Sequence, residues 1–305
     1  MKVVSLGSQH QAASAGQSTW TKSNAATPAA WPTAFLDFLS DLNEPLEYKD
    51  LIIHTDHSLV GVQHGRCGSE VVWTRETHLP GSWRVSAFHS NLVARLESFD
   101  SNQLERADGL AVVGSHFRAP LAIQTADCLA VGITAESSSE VLFATCFHAG
   151  WRGFTGGIQH NAMSLLNSQV SVHKHKPVLA SDVFVTVGPA IAGKRYPCGE
   201  DVLLAFRDHH AHSLRTLPGW SEKHERAFWE VIGLGTFAES GKIQPDLQAL
   251  MCIELHALGT PLAAITVFRD DTFGSHHWPS HRRAMAEGQP RAGRLITHLC
   301  PPTCP

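Results

Sequence analysis

Residues 120–134 form an almost unbroken apolar run, interrupted mainly by Gln124, Thr125, Asp127 and Cys128, and residues 141–147 form a second. A strand with one wet face alternates polar and apolar residues, so unbroken runs of this length predict strands covered on both faces. Such strands require a layer of structure on either side. Weaker strand signals fall at 58–63, 70–74, 84–88, 183–187 and 262–268. Helical spacing appears at 34–42, and again from Ile158 through Ala162, Leu165 and Leu166 after a glycine-rich turn at 150–157. Residues 199–206 predict a helix with acidic groups in its first turn, where the helix dipole favours them. The clearest helix is 246–258, with Leu247, Leu250, Met251, Leu255 and Leu258 on one stripe and Gly259 available as a left-handed C-terminal residue. Strands and helices alternate irregularly without internal repeats. The expected class is therefore α/β, a single mixed layered domain of packed β-sheets flanked by helices. The expected boundaries are a disordered or loosely ordered extension at 1–45, a domain at 46–298 and a proline-rich tail at 299–305.

Composition removes several function classes. The chain has 305 residues and a formal net charge of −4, and its Lys and Arg are scattered, which argues against a broad nucleic-acid-binding face. No apolar run reaches the roughly 18–20 residues that a membrane-spanning helix needs. The N-terminus has no charged segment followed by an apolar one, so a secretory signal is not expected. Residues 1–36 contain no Asp, Glu or Arg, which fits an extension better than a transit peptide. Seven cysteines, an odd number in a long chain, predict reduced thiols and a cytoplasmic location.

His89, Cys128 and His148 lie 39 and 20 residues apart, without a compact metal-binding signature. Taken singly, each reads as a packing or surface residue. The surrounding words change this reading. Residues 124–129 spell Gln-Thr-Ala-Asp-Cys-Leu, and 147–153 spell Phe-His-Ala-Gly-Trp-Arg-Gly. Residues 187–191 spell Val-Gly-Pro-Ala-Ile, followed by Tyr196, Gly199, Asp201 and Val202. In this order the words resemble the laccase-domain family, also known as purine nucleoside phosphorylase/adenosine deaminase, polyphenol oxidase or peptidoglycan-editing-factor-like proteins. The upstream family histidine is matched by His89, given its distance to Ala107-Asp108-Gly109; His64, within Val62-Gln63-His64-Gly65, is a rival by local spelling. Looser matches follow at Asp246-Leu247, at residues 280–283 (Ser-His-Arg-Arg) and at Ala292-Gly293-Arg294. The family's Cys-Thr pair is missing, with Phe268-Arg269-Asp270-Asp271 in its place.

The resemblance implies a laccase-domain, cysteine-hydrolase-like fold and a zinc ion, with copper as an alternative, on His89, Cys128 and His148. Two imidazoles and a thiolate leave the fourth zinc position open. The implied reaction is phosphorolysis of adenosine, inosine or methylthioadenosine, with adenosine deamination at the same site. Its partners are then a purine nucleoside and phosphate. Asp127 is expected to orient a ligand or shuttle a proton, or else simply to make a turn. Arg66 and Arg152 are candidate phosphate or substrate contacts, with Arg152 equally able to brace the glycine turn. Gly150, Gly153, Gly156 and Gly157 allow close backbone approach, and Trp151 could stack on a base or pack. The alternatives are a copper polyphenol oxidase, a Cys/His hydrolase such as a peptidoglycan-editing enzyme with Cys128 as nucleophile, and a metal-stabilised binding module. The His173-x-His175 word and Cys300-Pro-Pro-Thr-Cys304 read as a loop and a tail.

Overall fold

The computed structural model describes residues 3–4, 30–44, 46–49, 60–76, 78–79, 81–84, 89–96, 107–174 and 180–302. In chain order, its first half runs through β1 (Val3–Val4), α1 (Thr33–Leu42), β2 (Glu47–Lys49), β3 (Val60–His64), β4 (Ser69–Arg75), β5 (Trp83–Arg84), β6 (Val93–Leu96), β7 (Gly109–Val113), β8 (Leu121–Thr125), β9 (Leu129–Glu136) and β10 (Val141–Ala149). It continues through α2 (Trp151–Thr155), α3 (Ile158–Lys174), β11 (Val183–Val187), α4 (Glu200–His212), α5 (Glu222–Ile232), α6 (Leu234–Ser240), α7 (Leu247–Ala257), β12 (Ile265–Phe268), α8 (His281–Ala286) and β13 (Leu295–Cys300).

The strands form two mixed sheets. One has six strands in the order β1-β3-β4-β13-β8-β5, the other seven in the order β2-β12-β11-β9-β10-β7-β6. The unbroken run at 120–134 is thus two strands in two sheets, and the chain crosses between them at residues 126–128. The alternation of β9 shows why its sequence carries no polar face. Leu129, Val131, Ile133 and Ala135 share a core with Phe154, Leu166, Phe206, Phe228 and Leu250 from the helices. Ala130, between them, belongs to a second core with Val71, Trp73, Ile123 and Leu299 of the six-stranded sheet. The seven-stranded sheet is the middle of three layers, and both of its faces are dry.

Two boundary expectations change. Helix α1, expected as a short helix within a loose extension, is anchored: Phe35 and Phe38 are fully buried against α5. An extension running to residue 45 does not hold, because the chain is already packed from Trp31 onward. Nor does a tail begin at 299, since Leu299 and Cys300 pair with Val71 and Glu70 in β13. The single stripe expected for the helix at 246–258 also fails. Leu247 through Leu255 are all buried, because α7 lies inside the helical layer rather than on its surface. Gly259 does take the expected left-handed conformation, at φ 95°. The strand signal at 84–88 lies mostly outside the described residues, as do the His173 and His175 side chains and Cys304. No helix among the described residues is long and apolar enough to cross a membrane.

Candidate metal centre

The ends of several strands meet at one end of the seven-stranded sheet. His148 is next to last in β10, and its partner across the ladder is Ala130, two residues beyond Cys128. His89 stands in the segment between β5 and β6. These connections bring one donor atom each from His89, Cys128 and His148 within 4.8 Å of one another. His148 is buried, Cys128 half-buried and His89 exposed, so the cluster is closed at its base and open at its mouth.

The residue that organises the cluster is Asp108, at the start of β7 and fully buried. Its Oδ1 accepts hydrogen bonds from His148 Nδ1 at 2.9 Å and from the His89 backbone N–H at 3.0 Å. Its Oδ2 accepts from the Ser90 N–H at 2.6 Å and the Ser90 hydroxyl at 2.7 Å. One carboxylate therefore orients one ligand through its ring and another through its backbone, leaving Nε2 of His148 for the cluster. Burial alone would raise Asp108, but its bonds from His148 and Ser90 hold it down at about 2. Burial alone would lower His148, but its hydrogen bonds to Asp108 and Cys128 outweigh this and hold it at about 9. For His89, burial and the neighbouring His148 lower the imidazole against the pull of Asp108, which favours the neutral, ligating form.

The backbone is strained at two places here. His89 has φ 63° and Asp127 φ 85°, in the left-handed region that costs a non-glycine residue about 1–3 kcal/mol. Each strain is held by several bonds. Asp127 Oδ1 accepts from the Thr272 hydroxyl at 2.7 Å, its Oδ2 accepts from the Arg282 N–H at 2.8 Å, and its carbonyl accepts from Ile191 N at 3.0 Å. With both carboxylate oxygens engaged and the side chain buried, Asp127 braces the corner that presents Cys128.

Gly150 is required by space rather than by conformation, since its φ is −76°. A Cβ there would lie 3.0 Å from Cys128 Sγ and 3.2 Å from His89 Nδ1. Gly150→Ala is therefore expected to fold normally and to lose about tenfold or more in affinity for a metal on these donors. Competition titration against a chromogenic chelator tests this, and an unchanged affinity would show that the space beside the donors is not used. Gly153 has a parallel reason, as its Cβ would stand 2.8 Å from the Ser90 carbonyl oxygen.

The structure gathers most of the sequence-derived residues at this mouth. Arg152 is exposed in the first turn of α2, its guanidinium 4.2 Å from the centre of the Trp151 ring. Trp151 itself is half-buried and packs on the helical core, so its stacking partner here is Arg152. Arg66 is not brought to the site. It pairs with Asp182 at 2.9 Å and lies over the Phe184 ring. Val183 pairs with Ala135 while His148 pairs with Ala130, so Arg66 stands at the opposite end of the sheet, about 17 Å of strand away. The rival His64 is at that far end too, buried between the hydroxyls of Thr186 at 2.8 Å and Thr134 at 3.1 Å. Its spelling fits a hydrogen-bonded core histidine, and burial pushes its imidazole down to about 3.

Four contributors went unassigned in the sequence. Asp108 was visible only as part of a word, and Ser90 only as the neighbour of His89. Tyr196, with Arg282 5.0 Å over its ring, has its phenol pushed up by burial first and then by the neighbouring Cys198 and Cys128. His281 helps to lower His89. The 280–283 word was the signal for His281 and Arg282, but no spacing rule places the start of α8 against the corner at Asp127.

A family model described as "Multi-copper polyphenol oxidoreductase laccase" matches residues 66–300, which span the whole donor cluster. A purine nucleoside phosphorylase of Xylella fastidiosa is 33% identical over 134 residues, 44% of this chain and 43% of that protein. One of the same name from Deinococcus radiodurans is 35% identical over 88 residues, 28% of this chain and 30% of that protein. The chain thus spans less than half the length of these relatives. Among solved structures, YlmD from Geobacillus stearothermophilus is similar with a TM-score of 0.59 and 19% identity, over 83% of this chain and 99% of that one. The hypothetical protein YfiH of Bacillus licheniformis is similar with a TM-score of 0.53 and 20% identity, over 74% and 76%. These likenesses establish the same two-sheet α/β fold. By the match over residues 66–300, the chain belongs to the multi-copper polyphenol oxidoreductase laccase family.

Proposed function

We propose that this chain is a zinc-dependent purine nucleoside phosphorylase acting on adenosine, inosine or methylthioadenosine, with adenosine deaminase activity at the same site. The observation that carries this reading is the three-donor cluster, in which Asp108 fixes the orientation of His148 and the mouth stays open at His89 and Cys128. The names of the two sequence relatives support the substrate class. A two-imidazole, one-thiolate set suits zinc, and once bound, zinc supplies a Lewis acid with an open position.

The remaining chemistry falls to the chain itself. In phosphorolysis a phosphate oxygen forms a bond to C1′ of the ribose as the C1′–N9 bond breaks. The electron pair leaves on the purine, which must then take up a proton. Arg152, exposed at the rim, and Arg282, held over Tyr196, supply positive charge for the phosphate as it approaches the sugar. His281 is the nearby group able to move a proton to the leaving base, while burial keeps the Tyr196 phenol protonated. In deamination a water oxygen replaces the 6-amino group, and ammonia leaves with the proton. Asp127 takes neither proton in this scheme. It keeps Cys128 and α8 in register.

Comparison of the wild type with Cys128→Ala tests the proposal. The wild type should hold about one more zinc per chain than the variant. It should release adenine from adenosine only with phosphate present, and inosine with or without it. Both products should fall at least about a hundredfold in the variant. Cys128-dependent zinc without product from any of the three nucleosides would overturn the substrate. Turnover that survives chelation but not alkylation would assign Cys128 as a nucleophile instead.

A further inference from the structure

A second cluster of donors lies within the helical layer, apart from the strand ends. His160 of α3, His209 of α4 and Glu254 of α7 place one donor atom each within 4.8 Å of one another. His160 Nε2 is 3.2 Å from Glu254 Oε2, and His209 Nε2 is 3.1 Å from both oxygens of the same carboxylate. We propose that these three residues form a second cation site, one that takes zinc without any sulfur ligand.

The spacing fits. Donors bound at about 2.0–2.2 Å around a tetrahedral zinc stand about 3.3 Å apart along each edge, close to the two His–Glu254 separations, and the two histidine donors lie within 4.8 Å of each other. The charge fits as well. Glu254 and His209 are fully buried, and among the described residues no Lys or Arg pairs with Glu254. A carboxylate so placed requires a cation beside it. The chain's own groups also leave the cluster incompletely satisfied. Gln159 Nε2 donates to Glu254 Oε2 at 2.5 Å, yet Oε1 of the same buried amide has no hydrogen-bond partner, and neither does Nδ1 of His209. The side chain of His160 is 19% exposed, which gives an ion a route in and leaves room for a water as fourth ligand.

The position suggests what such an ion does. Gln159 Nε2 also donates to the carbonyl of Phe154 at 3.1 Å, and the Phe154 ring meets that of His209 at 6.1 Å. Phe154 belongs to α2, which starts directly after Gly150. An ion here ties α3, α4 and α7 together behind the helix that flanks the first cluster.

Cobalt(II) titration of the full-length, chelator-stripped protein separates the two sites by their ligands. The wild type should take up about two equivalents, only one of which gives a sulfur-to-metal charge-transfer band. Cys128→Ser should lose that band and keep one equivalent. His160→Gln, a change at a partly buried position, should keep the band and lose the other equivalent. The double variant should bind none tightly. Saturation of the wild type at a single equivalent, or none left in Cys128→Ser, would show that a proton rather than a metal balances Glu254. A second tight equivalent surviving in His160→Gln would place that ion elsewhere. The readout does not involve purine turnover, so it stands whether or not that reaction is confirmed.

Discussion

Replacing Asp108 with alanine is expected to weaken metal binding at this centre by about 10–100-fold, although Asp108 itself is not in the donor set. Its carboxylate accepts four hydrogen bonds, from His148, from the His89 backbone and twice from Ser90. Without them the His148 ring loses its fixed orientation, and the segment holding His89 at φ 63° loses what offsets its strain. Asp108→Asn keeps the shape and one acceptor oxygen, so its loss should be smaller. Competition titration of zinc in the two variants measures this, and wild-type affinity in Asp108→Ala would show that the donors are held by packing alone. Under the proposed function, purine turnover should fall in step with metal occupancy.

The second large effect is expected far from any chemistry. Arg269 is among the largest fully buried side chains. Its guanidinium donates to Asp246 through both Nη atoms, to Gln248 Oε1 at 2.6 Å and to the Ala30 carbonyl at 3.0 Å, and it lies 4.1 Å from the Trp31 ring centre. Asp246 in turn caps α7 by accepting from Ala249 N at 3.1 Å, while the Gln248 amide donates to the carbonyls of Gly188 and Phe268. Arg269→Met strands a buried carboxylate and should cost about 3–5 kcal/mol. For a chain of this size that is a fall of roughly 10 °C in the midpoint of thermal unfolding. The Arg269→Met, Asp246→Asn double variant removes the stranded charge and should recover part of the loss. A double variant no more stable than the single one would place the cost in packing instead of charge.

How much of this could be read beforehand varied with the kind of signal. Residues that carry a distinctive word, Cys128 and His148, were found because their neighbours identify them. His89 needed the distance to Asp108 to separate it from His64, and that distance is explained by the carboxylate that joins them. Arg66 was misplaced because spelling near a turn does not say which end of a sheet the turn occupies. The layered class followed from the apolar runs, but their continuity hid the change of sheet at 126–128: a strand buried on both faces looks the same whichever sheet it joins. The burial of α7 on every side had a related cause, since Gln248 and Glu254 look like surface residues until Gly188, Phe268, His160 and His209 supply their partners. Nothing local in the sequence indicates that Arg269 is interior, because its compensation comes from residues more than 20 positions away.

Two of the three donors sit where the chain passes from one sheet to the other. His89 lies between β5 and β6, and Cys128 between β8 and β9. The third, His148, is fixed in the middle layer. The distances among the donors are therefore also a measure of how the two sheets are spaced. A substitution that thickens or thins the layer between them, at Trp73 or Leu299 for instance, would alter the bite of the centre without touching it. The same linkage runs in reverse: an ion seated there acts as a rivet through the sandwich.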